Sequence, residues 1–156
     1  AEYEDALERH RKYKHPGFLL VSRNVEYNLG RLYWSRKSCA QAIPHLEKVG
    51  GSDQYALLAL EMLAECYTNE KKFENGIQAY TMILRAVPQH RKAKLGLARA
   101  YRLAGDLDRA GDILQELAAS SPRPGGRTQE TPEALAENDA IRAEEDALRK
   151  ARGGPE

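Results

Sequence analysis

Apolar and small residues recur along this chain in two alternating helical stripes. The first joins a Leu, a small residue and a Tyr at i, i+1 and i+4: Leu29, Gly30, Tyr33, then Leu63, Ala64, Tyr67, then Leu97, Ala98, Tyr101. The second is spaced i, i+4, i+7: Ala42, Leu46, Val49, then Gly76, Tyr80, Ile83, then Ala110, Leu114, Leu117. Both spacings put their residues on one face of a helix. Polar or turn-forming stretches separate the stripes: Arg36-Lys37-Ser38, Asn69-Glu70-Lys71-Lys72 and Ala104-Gly105-Asp106. The pattern therefore predicts three helix–turn–helix units, in which small residues let paired helices approach closely. Each position recurs at an interval of 34 residues, and Pro88 and Pro122 close the second and third units at that same interval. A fixed period in the range of about 20–50 residues marks a repeat array. One helix pair has too little apolar surface to offset chain entropy, so neighbouring units must stack.

These residues resemble the tetratricopeptide repeat, whose signature runs W-x2-L-G-x2-Y…A-x3-F…P. Leu29-Gly30-x2-Tyr33…Ala42-x3-Leu46 follows it, as do Leu63-Ala64-x2-Tyr67…Gly76-x3-Tyr80…Pro88 and Leu97-Ala98-x2-Tyr101…Ala110-x3-Leu114…Pro122. Glu26, Leu60 and Lys94 replace the signature Trp, and the Phe is replaced each time. The resemblance implies an all-α fold of stacked repeats in a right-handed superhelix, with units at about 23–56, 57–90 and 91–122.

The flanks depart from the period. Tyr3-Glu4-Asp5-Ala6-Leu7 reads as the start of a second repeat helix, with Ala6 in the place of Ala42, so 1–15 is expected to be half of a truncated repeat. From this we expect the chain to be an excerpt of a longer array that continues before Ala1. Residues 123–131 read as a linker by composition, the stretch Ser120-Ser121-Pro122-Arg123-Pro124-Gly125-Gly126-Arg127 being rich in Ser, Pro and Gly. Thr131-Pro132-Glu133 then provides an N-cap, a Pro at the first helical position and an acid in the first turn of a helix over 132–152. Its apolar content is thin, Leu135, Ile141 and Leu148 among alanines and charges. It is expected either to cover the last repeat or to order against a partner. Pro44 falls inside the second helix of the first unit, where it lacks a donor and its ring opposes the Ala40 carbonyl.

Composition narrows the function. Over 156 residues the formal net charge is +1, too close to neutral to argue for a nucleic-acid or membrane surface. No apolar run approaches the roughly 20 residues a membrane helix needs. An intracellular setting, cytoplasmic or nuclear, is expected. Cys39 and Cys66 sit in different units and read as two buried, reduced thiols. No cofactor or metal site is expected: His10, His15, His45 and His90 form no H-x3-H or H-E-x2-H pair and none stands beside a Cys at ligand spacing. Neither a Walker loop nor G-x-G-x2-G is present. A catalytic role finds no support.

Binding is the expected role, and the resemblance implies where. First helices of such repeats line a concave surface, and their non-core positions face it. These are Tyr27, Arg31 and Trp34 in the first unit, Leu58 and Met62 in the second, and Lys92, Arg99 and Arg102 in the third. Trp, Tyr and Arg dominate interface hot spots. A protein partner, as a peptide or helix, is therefore expected in a scaffold of a multiprotein assembly. The carboxylate clamp of co-chaperone repeats is disfavoured, because Tyr27, Arg31, Met62, Lys92 and Gly96 occupy its positions and only Lys92 matches. Two alternatives stand beside the scaffold. One is helical-repeat RNA binding, against which Glu61 and Glu65 in the central unit argue. The other is a regulatory domain of a larger enzyme.

Overall fold

The computed structural model describes residues 16–120 and 131–153, and side chains from residue 22 onward within the first helix. The expected half-repeat at 1–15 and most of the 123–131 linker lie outside the described residues. The described chain is helical without strands: α1 Pro16–Ser35, α2 Cys39–Leu46, α3 Gln54–Asn69, α4 Phe73–Ala86, α5 Arg91–Ala104, α6 Leu107–Ala119 and α7 Pro132–Ala151. Two compact units divide it within α4, one ending at Ala79 and the other beginning at Tyr80.

The 34-residue period has a backbone counterpart at the end of each first helix. Lys37, Lys71 and Gly105, again 34 apart, all take a left-handed conformation (φ 59°, 60° and 91°). The following residue donates its N–H back to the repeat tyrosine: Ser38 to Tyr33 O at 2.9 Å, Lys72 to Tyr67 O at 2.8 Å, Asp106 to Tyr101 O at 2.9 Å. This is the Schellman closure, which satisfies carbonyls the helix end leaves unpaired. Gly105 adopts it without a Cβ penalty, whereas Lys37 and Lys71 accept some strain to do so.

In the first unit α1 and α2 close on each other because position 30 carries no side chain. A Cβ there would stand 2.5 Å from Leu46 Cγ, inside contact distance. Leu29, Ala42, Leu46 and Val49 are buried in this seam. Glu26, standing where the repeat signature has Trp, is 5% exposed and is held by His45 Nδ1 of α2 at 2.7 Å and by Lys48 Nζ, just beyond α2, at 3.0 Å. Two cationic or donor groups thus meet the desolvation of one carboxylate. α2 has 8 residues where α4 has 14 and α6 has 13. It ends two residues after Pro44, and the chain continues to Val49 through tighter turns, Lys48 N to His45 O and Val49 N to Leu46 O.

α3 packs on α1 and α2 through Ala59, Met62, Leu63 and Cys66. Here one expectation is corrected: Cys39 and Cys66 are not separate thiols but a disulfide, with Cα atoms 4.9 Å apart. Spacing in sequence did not reveal it because the start of α2 and the last turns of α3 meet only when the first two repeats pack together inside the first compact unit. In the second unit α5 and α6 pair through Ala98, Ala110, Leu114 and Leu117, and α7 lies on both with Ile141 and Leu148 buried. Thr131 caps α7 by accepting from Ala134 N at 3.2 Å, with Pro132 in its first turn.

The repeat tyrosines are only partly buried, because a phenol carries a hydroxyl that needs a partner. Tyr67 Oη donates to Glu47, Tyr33 stacks on His45 at 5.5 Å, and Arg109 sits 5.3 Å over Tyr101. Burial, and then the Glu47 carboxylate, push the Tyr67 hydroxyl up to about 12.

Candidate functional site

The face formed by α1 and α3 gathers most of the residues singled out from the sequence. Tyr27, Arg31 and Trp34 follow one another at helical spacing along α1, and Tyr55, Leu58, Met62 and Glu65 do so along α3. Arg31 is exposed, while Tyr27 and Leu58 are half-buried. Met62 is 7% exposed and belongs to the core, so it supports this face from beneath. Trp34 packs against the same core, and its Nε1 donates to Glu65 Oε2 at 3.0 Å. Lys37 Nζ lies 5.6 Å from the Trp34 ring centroid and 4.0 Å from Glu65 Oε1. The indole is therefore a fixed strut between the two helices with one part still open to solvent.

Sequence reasoning missed Tyr55. It is 52% exposed and meets Tyr27 edge-on, with ring centroids 5.3 Å apart and planes at 78°. Its signal was available: it stands three residues before Leu58 on the same helical stripe. The role of Glu65 as the indole's partner was not available, since it depends on how two helices 31 positions apart in sequence meet.

The N-terminal ends of this face are locked by a two-point ion pair. Arg23 Nη1 donates to Asp53 Oδ2 at 2.8 Å, and Nη2 contacts Oδ1. Asp53 also accepts from Ala56 N at 3.0 Å as the N-cap of α3. The guanidinium hydrogen bonds, and then that backbone N–H, hold the carboxyl down to about 2. The result is a surface with two aromatic edges, an aliphatic side chain and an exposed guanidinium. Such a surface suits an apolar segment with an acidic edge.

The remaining expected residues, from the third repeat, lie on α5 in the second compact unit. Lys92 and Arg99 are exposed. Arg102 is occupied: its Nε contacts Glu144 Oε1 of α7 at 2.5 Å, and its side chain is 18% exposed. Among the described residues, no group of three or more His, Cys, Asp or Glu is arranged to hold a metal ion, and no helix is long and apolar enough to cross a membrane.

Paired helices closed by a recurring left-handed turn, with small residues at each seam, define a helical-repeat protein. Family models described as tetratricopeptide repeat match residues 27–91 and 69–124. The chain belongs to the tetratricopeptide repeat family. Repeats of this family generally mediate protein–protein interaction. No curated protein matches the sequence.

Proposed function

We propose that this chain is a non-catalytic scaffold in a multiprotein assembly and that it holds a peptide or helix of a partner protein on the α1–α3 face. The observation that carries the reading is the pairing of the open Tyr27–Tyr55 edge with exposed Arg31 on helices fixed by Arg23–Asp53 and Trp34–Glu65. Preorganised aromatic and guanidinium groups lose little freedom when a ligand arrives. Lys92 and Arg99, exposed on α5, are proposed as partner contacts of the second unit in its own right. Arg102 is already paired, and Met62 contributes by shaping the floor. The intracellular, cytoplasmic or nuclear setting read from composition sits against the Cys39–Cys66 bond, because disulfides persist mainly in oxidising compartments. Free-thiol counts on protein taken from its native cells decide between the two settings.

The test uses a displayed library of random peptides selected against the full chain. Enriched peptides are expected to combine apolar residues with Asp or Glu. Tyr27→Ala and Arg31→Glu should each weaken their binding at least tenfold while leaving the thermal midpoint within a few degrees. Peptides bound equally by the wild type and both variants would overturn the reading.

A further inference from the structure

α7 covers the second unit by an unusual balance of contacts. Of its 20 residues only Ile141 and Leu148 are buried, and Leu135 is 45% exposed. Charged contacts span its length. Arg91 Nε of α5 meets Glu137 Oε1 at 2.5 Å, and Arg102 of the same helix meets Glu144. At the far end Arg152 Nη2 donates to Leu107 O at 2.8 Å and to Asp108 Oδ1 at 3.0 Å on α6. Beside this seam lies an open groove of about 540 Å³ lined by residues that include Gly111, Gln115, Leu148 and Arg152. Apolar burial by the cover is thus confined to two side chains, and the remaining contacts are polar.

The contacting side chains follow one another as Glu137, Ile141, Glu144, Leu148, Arg152, on a single helical stripe. Their receptors are two arginines of α5, the apolar seam of α5 and α6, and an acceptor pair at the start of α6. The face thus reads a helix as acid, aliphatic, acid, aliphatic, arginine. We propose that it is a second docking site, for an acidic amphipathic helix of a partner protein carrying this spacing, and that α7 is its tethered occupant, displaced by competition. This proposal is independent of the α1–α3 reading. Charge complementarity names the ligand: the inward guanidinium groups of Arg91 and Arg102 select carboxylates at two fixed positions. A tethered helix competes at an effective concentration in the millimolar range. A free helix of equal quality therefore binds the wild-type chain weakly, and binding emerges once the tether's own carboxylates are neutralised.

The experiment uses the full chain and two fluorescein-labelled peptides. One has the sequence of residues 131–153. The other keeps only Glu, Ile, Glu, Leu and Arg at these spacings on an Ala/Gln background. By anisotropy, the Glu137→Gln/Glu144→Gln chain should bind both at least tenfold more tightly than the wild type. Raising NaCl from 50 to 500 mM should weaken binding about tenfold, as screened ion pairs require. Adding Arg102→Glu to the chain should abolish it, and a peptide with Arg in place of Glu144 should restore it, which a merely structural role for Arg102 does not predict. Absence of binding by a double variant that retains its helical circular dichroism overturns the proposal, and so does binding indifferent to Arg102→Glu. If the double variant unfolds, the wild-type chain decides: millimolar unlabelled peptide must accelerate amide exchange in α7, and unchanged protection overturns the proposal. A wild-type dimer in light scattering that Arg102→Glu returns to monomer assigns the face to a second copy, and also overturns it.

Discussion

α3 and α7 occupy matching places in their units, each laid on the helix pair before it, yet they are fastened by different chemistry. α3 buries Ala59, Met62, Leu63 and Cys66 against α1 and α2 and is joined to α2 by a disulfide. α7 buries Ile141 and Leu148 against α5 and α6, and otherwise relies on carboxylate–guanidinium pairs open in part to water. Burying one aliphatic side chain is worth about 1.5–3 kcal/mol, whereas an exposed ion pair contributes about 0.2–1 kcal/mol and is screened by salt. The repeat geometry sets where a helix sits, and the residues at the seam set how easily it leaves. From this contrast we expect α3 to stay fixed in its unit and α7 to open first.

Four experiments probe this contrast, from the largest expected effect to the smallest. Reducing the Cys39–Cys66 bond, which closes a separation of 27 residues, should cost about 3–4 kcal/mol in denaturant unfolding. The same reductant should leave a Cys39→Ala/Cys66→Ala variant unchanged. Ile141→Ala should cost about 2–3 kcal/mol, seen in hydrogen exchange as lost protection of α7 while α1–α3 keep theirs. Loss throughout the chain would show that α7 is not a separable element. Lys71→Gly, at an exposed left-handed turn, should stabilise by about 1 kcal/mol in a thermal melt. The corresponding Gly105→Ala should destabilise by a similar amount.

The fourth concerns pH at the Arg23–Asp53 lock. The Asp53 carboxyl is lowered from 3.8 to about 2, so its contribution is present above 3.8 and is lost as the pH falls through about 2. Carbon-detected NMR titration should place its midpoint near 2. In Arg23→Gln the midpoint should move back up, towards that of an ordinary aspartate. A midpoint unaffected by Arg23→Gln would contradict the pair.

Much of this was legible in the sequence because packing repeats with the helix. The recurrence of Leu29, Leu63 and Leu97 with Gly30, Ala64 and Ala98 identified the seams, and all six are buried. The three turn stretches were marked by composition, although only Gly105 announced its left-handed geometry. Long-range pairings between different chemical types were not legible. Glu26 looked like a degenerate Trp position until His45 and Lys48 were seen around it. Trp34 stood off the core register, and nothing within its own helix indicated Glu65. The thin apolar content of 132–152 left open whether this helix covers the last repeat or orders against a partner. Which arginines hold it depends on how α5 and α6 present themselves, and no period encodes that.

The most direct test of the contrast is hydrogen exchange on the full chain, followed peptide by peptide in 50 and 500 mM NaCl, with and without reductant. The account predicts that salt lowers protection in α7 and leaves α3 unchanged, and that reductant lowers protection in α2 and α3 and leaves α7 unchanged. Salt-insensitive protection of α7, or protection of α3 and α7 that falls together under either treatment, would contradict it.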